Sequence, residues 1–279
     1  MGLCKSHALA PRFAALRADD NHAPTKRTMH TFDDFLVKME AGVVRAISEN
    51  DEMFRYARAA LPSDAEATTY YLDTGRELAT GLLKGLLESG IDPETVDLLD
   101  FAAGYGRVSR WLAPVLRSVT VADLEPDMLD FQRQVIGVDG YCSSTNPDAP
   151  VAGGRTFDVI FAFSLFTHLP DASWPLWLGA LAAALRPGGR LVFSSHSYEL
   201  FALLNPGEYA DRGNWTREFV FWAGNETGGR LDASHYGSNI SSESYVRRRI
   251  AETTQLCDVR RFPMGEFDRY HDIYVATRG

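Results

Sequence analysis

The sequence VDLLDFAAGYGRVSRWL, residues 96–112, has the local pattern of a nucleotide-binding strand, loop and helix. An apolar run ends in Asp100, a turn of small residues follows, and an amphipathic segment begins after the turn. A dinucleotide fingerprint would read G-x-G-x-x-G, whereas this turn has Ala102, Gly104 and Gly106. The turn therefore predicts a site for a small ligand, but alone it does not identify that ligand.

Apolar runs typical of strands alternate with helical segments on both sides of this turn. Such alternation predicts a parallel sheet with right-handed crossovers, in which apolar strands are buried on both faces. After residue 240 the pattern predicts a helix and two strands separated by a reversal. The predicted strands are 96–101, 118–123, 137–144, 157–164, 190–197, 217–222, 257–262 and 272–278, and the predicted helices are 107–116, 126–135, 175–189 and 241–253.

The residues before the sheet are predicted to be helical. In residues 31–60 apolar side chains recur every three or four positions, which indicates two helices, with a break at the sequence LPSD. A third helix is predicted over residues 73–89, with Gly90 at its stop position. We expect these helices to form a cap over one edge of the sheet.

This interpretation divides the chain into three parts. Residues 1–30 are predicted to be a disordered leader, residues 31–90 the helical cap, and residues 91–279 one α/β domain. An insertion at about residues 198–240, rich in glycine, asparagine, tyrosine and tryptophan, interrupts that domain. We expect the insertion to form part of the substrate pocket.

Composition excludes several classes of function. The chain has 279 residues, 45% of them hydrophobic, and its net charge of −9 argues against binding of nucleic acid, which needs a basic face. No apolar run approaches the length of a transmembrane helix. Three cysteines lie far apart without metal-ligand spacing, which predicts a reducing, cytoplasmic location and no metal site. A monomer and a homodimer both remain open.

Three features fall at the carboxyl ends of predicted strands, where open parallel sheets bind ligands. The first is Asp100 with the small-residue turn. The second is Asp123, which ends the next strand and is suited to accept hydrogen bonds from both hydroxyls of an adenosine ribose. The third is the polar and aromatic sequence FAFSLFTHL at residues 161–169.

Four segments together resemble the class I S-adenosylmethionine-dependent methyltransferases in order and spacing. They are LLDFAAGYGRVSRWL (98–112), VTVADLEPDMLDF (119–131), FDVIFAFSLFTHLPD (157–171) and LRPGGRLVFSS (185–195). The resemblance covers about residues 70–200, and the last helix and two strands are similar to the family's ending. It implies a Rossmann-like seven-stranded sheet, mostly parallel with an antiparallel last strand, helices on both faces, and S-adenosyl-L-methionine as cofactor.

The resemblance also implies a role for each matching position. Asp100 and the turn match the motif that wraps the methionine part of the cofactor, and Asp123 matches the acid that holds the ribose. Ala102 replaces the usual first glycine of that motif, and we expect a negative φ there because only left-handed positions demand glycine. The other implied cofactor contacts are Leu124 and Met128 beside the adenine, Cys142 and Ser143 at its edge, where the family usually has an acid, Phe163 and Ser164 near the sulfonium, and Arg76 as a candidate for the carboxylate.

The acceptor must be inferred from other residues. A hydroxyl acceptor needs a base, whereas an amine needs only to be neutral, and His196 at the end of a predicted strand is the best-placed base. Tyr236 is a second catalytic candidate, and a structural role for His196 remains open. Aromatic residues and amides of the insertion suit a small-molecule or sugar-type acceptor, and we expect O-methylation rather than N-methylation. The alternatives are a catalytically silent cofactor-binding protein and a nicotinamide-dependent oxidoreductase.

Overall fold

The computed structural model describes residues 30–205, 217–224, 232, 235–253 and 255–279. Almost all of the predicted leader therefore lies outside the described residues, as does part of the predicted insertion. Three helices come first: α1 (Phe32–Gly42), α2 (Glu52–Ala60) and α3 (Asp64–Glu88). The LPSD sequence separates α2 from α3. Each helix begins at a side chain that accepts a hydrogen bond from a backbone N–H in its first turn, namely Thr31, Asp51 and Ser63.

The predicted start of α3 at residue 73 is wrong. The helix begins at Asp64, where Ser63 caps its first turn. The predicted stop is confirmed, since Gly90 follows the helix with a φ of +72°. We expected the N-terminal helices to cover an edge of the sheet, but the apolar stripe of α3 lies against a face of the sheet instead. It packs with α1 and α2 on one face, where Leu78 and Leu82 share a core with Leu98 and Val159 of two central strands.

The main sheet has seven strands in the order β3-β2-β1-β4-β5-β9-β8. Strands β1 to β5 are parallel, and β9 runs antiparallel between β5 and β8, which confirms the predicted fold class. The chain order reverses between β1 and β4, so this pair forms the topological switch point. Among the described residues the strands are β1 (Asp97–Phe101), β2 (Ser118–Asp123), β3 (Gly140–Cys142), β4 (Phe157–Ala162), β5 (Leu185–Ser195), β6 (Phe219–Ala223), β7 (Gly237–Ser241), β8 (Leu256–Phe262) and β9 (Asp272–Arg278).

Helices cover both faces of the sheet. The remaining helices are α4 (Ser109–Leu112), α5 (Pro126–Phe131), α6 (Trp174–Ala183), α7 (Tyr198–Leu204) and α8 (Glu243–Glu252). Leu98 faces the core under α1 to α4, and its neighbour Leu99 faces the core that contains Trp174 of α6 and Tyr245 of α8. None of the described helices has both the length and the apolar composition that a membrane crossing needs.

Several elements differ from prediction. Helix α4 is a single turn. Helix α6 ends at Ala183 rather than at residue 189, because Leu185 already pairs with Phe157 as the start of β5. Helix α7 and strand β7 were not predicted. Strand β7 pairs with β6 and also lies against the loop after β4, where the N–H groups of Gly237 and Asn239 donate to carbonyls of that loop.

Candidate functional site

The small-residue turn lies at the carboxyl end of β1 and is fastened to β2. The N–H groups of Ala102 and Ala103 both donate to the carbonyl of Ala122, at 2.9 and 3.2 Å. Gly104 and Gly106 have φ values of +57° and +75°. A Cβ on Gly106 would lie 2.6 Å from Ile136 Cδ1, whereas one on Gly104 would meet nothing within 4 Å. The turn is therefore packed on one side and open at Gly104.

Ala102 adopts a φ of +62°, so the expected negative value is wrong. Left-handed backbone costs a residue with a Cβ about 1–2 kcal/mol, and here the hydrogen bonds to Ala122 hold it in place. Ser164, just after β4, also has a positive φ, of +60°, and its N–H donates to Ser194 Oγ at 2.7 Å. Two such residues flank the switch point, and backbone strain of this kind is typical of functional sites.

Asp123 joins the end of β2 to the turn. Its carboxylate accepts hydrogen bonds from the N–H of Gly104 at 2.8 Å and from the N–H of Leu124 at 2.7 Å. Burial raises the pKa of Asp123, and these backbone donors act in the opposite direction. The structure thus brings together two motifs that are separate in sequence, at the open side of Gly104.

Asp100 lies fully buried beneath the turn, on the face of the sheet that carries α4. Its carboxyl group accepts a hydrogen bond from Ser109 Oγ at 2.6 Å. Burial raises the pKa of Asp100 to about 7, while the Ser109 hydrogen bond opposes that rise. Asp100 therefore ties β1 to the first turn of α4 and supports the shape of the turn from below.

The residues predicted beside the adenine lie around the ends of β2 and β3. Met128 is buried, Leu124 is partly buried, and Cys142 is exposed. The N–H of Ser143 donates to the Asp123 carbonyl at 2.8 Å, which fastens the end of β3 to β2. Cys142 and Ser143 line a cavity of about 220 Å³ whose wall also includes Phe101, Tyr141, Asn146 and Trp177.

Arg76, the candidate for the cofactor carboxylate, pairs with helix α1 and not with the turn. It is exposed on α3, and its Nε is 2.6 Å from Glu40 Oε1 on α1.

A second arginine, Arg107, directly follows the turn and was not predicted. Its guanidinium donates to Thr74 Oγ1 at 3.1 Å and lies 5.2 Å from the centre of the Phe163 ring. Its place immediately after the turn was the available signal in the sequence.

His196 lies at the carboxyl end of β5 and contacts a histidine that sequence analysis missed. Its Nε2 is 3.2 Å from Nε2 of His271, and Nδ1 of His271 is 2.7 Å from Oδ2 of Asp268. The two histidines meet because Ser195, the last residue of β5, pairs with Asp272, the first residue of antiparallel β9. The structure therefore forms a hydrogen-bonded chain from Asp268 through His271 to His196.

Asp268 is held in its ionised form. Burial pushes its pKa upward, but the hydrogen bond from His271, together with the N–H of Tyr270, outweighs burial and lowers the pKa. The N–H of His271 also donates to the same carboxylate oxygen, at 3.0 Å. The ring of Phe163 lies 4.6 Å from that of His271, so the motif after β4 contacts the histidine pair. The described part of the chain contains no cluster of three or more histidine, cysteine, aspartate or glutamate side chains that could bind a metal ion.

Tyr236 reaches this cluster through His168. The two rings stack with centroids 4.7 Å apart, and the His168 ring lies 6.4 Å from that of His196. Nδ1 of His168 is 2.7 Å from the Gly237 carbonyl, so this ring also contacts the backbone of β7. Tyr236, His168 and His196 thus form adjoining aromatic groups at the carboxyl edge of the sheet.

Comparison with known proteins agrees with this arrangement. A family model described as a methyltransferase domain matches residues 69–242. No curated protein sequence matches significantly.

Solved structures share the fold at low identity. A methyltransferase dependent on S-adenosylmethionine from Clostridium acetobutylicum ATCC 824 is 16% identical, with a TM-score of 0.52 over 73% of this chain and 92% of that one. Magnesium protoporphyrin IX methyltransferase from Synechocystis PCC 6803, with bound S-adenosylhomocysteine, is 14% identical, with a TM-score of 0.54 over 88% and 99%. A putative O-methyltransferase from Nostoc punctiforme PCC 73102 is 12% identical, with a TM-score of 0.52 over 88% and 68%.

These structures support the fold, and the family model covers more than half of the chain. The strand order, the turn after β1 and the acid after β2 are in the places that the sequence resemblance implies. The chain therefore belongs to the class I S-adenosylmethionine-dependent methyltransferases.

Proposed function

We propose that this enzyme methylates a hydroxyl group of a small-molecule or sugar-type acceptor, with His196 as the general base. The observation that carries the proposal is the hydrogen-bonded chain of Asp268, His271 and His196 beside Phe163. A hydroxyl must lose its proton as it is methylated, whereas a neutral amine attacks without a base. A histidine backed by a second histidine and a carboxylate suits the hydroxyl reaction.

The residues around the turn fit the cofactor. Asp123 offers carboxylate oxygens for ribose hydroxyls beside the open side of Gly104, and Leu124 and Met128 offer apolar surface for the base. S-adenosylmethionine supplies an electrophilic methyl group on its sulfonium. We assign the ribose to Asp123 and the adenine edge to Cys142 and Ser143, at the mouth of the cavity that both line.

The hydrogen bonds favour one arrangement of protons on the histidines. Ionised Asp268 accepts the Nδ1 proton of His271, so Nε2 of a neutral His271 is an acceptor. Nε2 of His196 then donates to it, which makes Nδ1 of His196 the basic nitrogen. When Nδ1 takes the acceptor's proton, the new positive charge is stabilised by the carboxylate of Asp268 through His271.

Methyl transfer balances within this arrangement. Bound S-adenosylmethionine would give its methyl group to the acceptor oxygen and leave as the neutral thioether S-adenosylhomocysteine, its sulfur keeping the electron pair of the broken bond. His196 would take the hydroxyl proton. Positioning of the oxygen in line with the methyl group supplies much of the remaining rate enhancement.

Two aromatic pairs support a small, partly apolar acceptor. Tyr236 stacks on His168, whose ring lies 6.4 Å from that of His196, and Trp222 of β6 stacks on Phe201 of α7 with centroids 5.9 Å apart. Such rings suit the faces of sugars and of planar small molecules. Two further residues of the predicted insertion, Trp215 and Asn225, lie outside the described residues.

The acceptor class is tested by release of S-adenosylhomocysteine with two matched panels of small molecules, identical in scaffold but carrying a hydroxyl or an amine. We expect turnover with the hydroxyl compounds and none with the matched amines. Turnover confined to amines contradicts the base assignment. Tight S-adenosylhomocysteine binding without turnover on either panel indicates a silent binding protein.

The cofactor assignment is tested by labelling of cysteine. Cys142 is exposed at the proposed adenine edge, whereas Cys257 is a partly buried residue of β8 whose thiol contacts Asp258. We expect S-adenosylhomocysteine to slow the alkylation of Cys142 by iodoacetamide at least about tenfold, because a bound ligand removes the thiol from solvent. Mass spectrometry of labelled peptides measures both sites, with Cys257 as the internal control. Equal labelling of Cys142 with and without ligand contradicts the assignment.

A further inference from the structure

Arg110 of α4 is a buried cation whose hydrogen bonds join two separate segments. Arg110 is only 1% exposed to solvent. On one side its Nε donates to the Gly106 carbonyl at 2.8 Å and its Nη2 donates to the Tyr105 carbonyl at 3.1 Å. On the other side its Nη1 donates to the carbonyls of Ala46 at 2.6 Å and Val44 at 3.2 Å.

These acceptors belong to two elements with different functions. Tyr105 and Gly106 belong to the turn after β1, and Val44 and Ala46 belong to the connector between α1 and α2, residues 43–51. The guanidinium also lies 5.4 Å from the centre of the Tyr71 ring, and the Tyr71 hydroxyl donates to Asp51 at 2.6 Å. A carboxylate at the end of the connector is thus joined to this buried cation through the Tyr71 side chain.

The Tyr105 side chain fastens the turn to a different element. It is buried, and its hydroxyl donates to Asp127 of α5. The link from the turn to the connector is therefore carried by the guanidinium of Arg110. This link does not use the open side of Gly104, where we place the cofactor.

The shape of the guanidinium is central to this link. Its planar fork donates in fixed directions, so the carbonyls of the turn and of the connector must take up one relative position to satisfy it. A lysine ammonium carries the same charge but cannot span both pairs of carbonyls. Loss of these hydrogen bonds would remove the side-chain donor from the Tyr105 carbonyl and leave the Gly106 carbonyl only the backbone N–H of Arg110. That loss favours other conformations of the turn, where Gly106 is held at positive φ.

We propose that Arg110 is a positioning residue that couples the α1–α2 connector to the cofactor turn, so that the N-terminal helices set the affinity for the cofactor. The proposal rests on the cofactor role assigned to the turn. Coupling of this kind is reciprocal: if an ordered connector favours cofactor binding, then bound cofactor must stabilise the connector by the same free energy.

Hydrogen exchange of the wild-type enzyme with and without S-adenosylhomocysteine tests this reciprocity. We expect the ligand to slow exchange in two regions, the turn at residues 102–106 and the connector at residues 43–51. Protection of the turn without protection of the connector overturns the coupling. Absence of protection in the turn instead contradicts the cofactor site itself, so the two failures are distinguishable.

The variant Arg110→Lys adds a second measurement, with Arg58→Lys as the matched control. Arg58 lies on α2, is more than a third exposed and pairs with Glu49 and Asp64 rather than with the turn. We expect Arg110→Lys to weaken S-adenosylhomocysteine binding in calorimetry at least about tenfold and to abolish protection of residues 43–51 at saturating ligand. Arg58→Lys should change neither.

Wild-type affinity in a folded Arg110→Lys variant overturns the proposal. If that variant does not fold, the exchange measurement on the wild-type enzyme decides alone. If Arg110 had only a structural role, Arg110→Lys would lower thermal stability, but the ligand would still protect the connector from exchange. That result also overturns the proposal.

Discussion

Replacing His196 by alanine is expected to lower kcat on a hydroxyl acceptor by about 10²- to 10⁴-fold, the usual contribution of a general base. The affinity for S-adenosylhomocysteine should stay near that of the wild-type enzyme, because His196 lies at the end of β5, away from the turn and Asp123. Initial rates at saturating cofactor and acceptor, together with calorimetry, separate the two effects.

His235→Ala is the matched control for this variant, since the His235 side chain is 79% exposed and lies outside the hydrogen-bonded chain. It should turn over at the wild-type rate. Near-wild-type turnover in His196→Ala, with cofactor bound, would show that the histidine is structural.

Asp268→Asn distinguishes proton transfer from simple packing. This variant keeps the size of the side chain but removes the charge that attracts a protonated histidine pair. Without that attraction the positive charge formed on the pair during methyl transfer is less stable, so kcat should fall while the affinity for S-adenosylhomocysteine stays near that of the wild-type enzyme. Wild-type kcat in the folded variant contradicts the relay.

The parts of the site that sequence analysis predicted depend on parallel strands. Strands β1, β2 and β4 end at one edge of the sheet, so residues that follow them must lie together whatever the details of packing. Asp123 and the turn indeed meet, through the Gly104 N–H. Strands β2 and β9 also have the predicted bounds, because clear turns bracket their apolar runs.

The missed residues depend on long-range geometry. His271 reaches His196 only through the register of β5 against antiparallel β9, across 75 positions of the chain. Arg110 bonds to backbone carbonyls, and no pattern of side chains encodes such acceptors. The early start of α3 includes Thr68, Thr69 and Tyr70, which are weak helix formers, and burial of Tyr71 against Phe54 overrides that weak propensity.

Ala102 shows a further limit of the sequence. An alanine at a position where glycine is usual suggested ordinary backbone, because the steric cost of a positive φ falls on residues with a Cβ. The structure instead keeps the left-handed turn, since two N–H groups share the Ala122 carbonyl and Ala102 itself is exposed. The hydrogen bonds of the turn outweigh the intrinsic preference of one residue.

Asp123→Asn is expected to weaken binding of S-adenosylhomocysteine by about 100-fold, since charged hydrogen bonds contribute about 1.5–3 kcal/mol each and tenfold in affinity is about 1.4 kcal/mol. Two effects add. An amide is a weaker acceptor for ribose hydroxyls, and its NH₂ group must face the N–H of Gly104 or that of Leu124, both of which now donate to the carboxylate. The turn then loses one of the contacts that hold it against β2.

Asp130→Asn on the adjoining helix α5 is the matched control, because its carboxylate is 57% exposed and pairs with Arg133 on the surface. Isothermal titration of both variants with S-adenosylhomocysteine, alongside thermal unfolding, separates binding from stability. Unfolding of Asp123→Asn should stay cooperative, since burial opposes the charged form of this carboxyl and the variant removes that cost. Equal affinities of the two folded variants would exclude Asp123 as the ribose-binding acid and place the ribose elsewhere along the carboxyl edge.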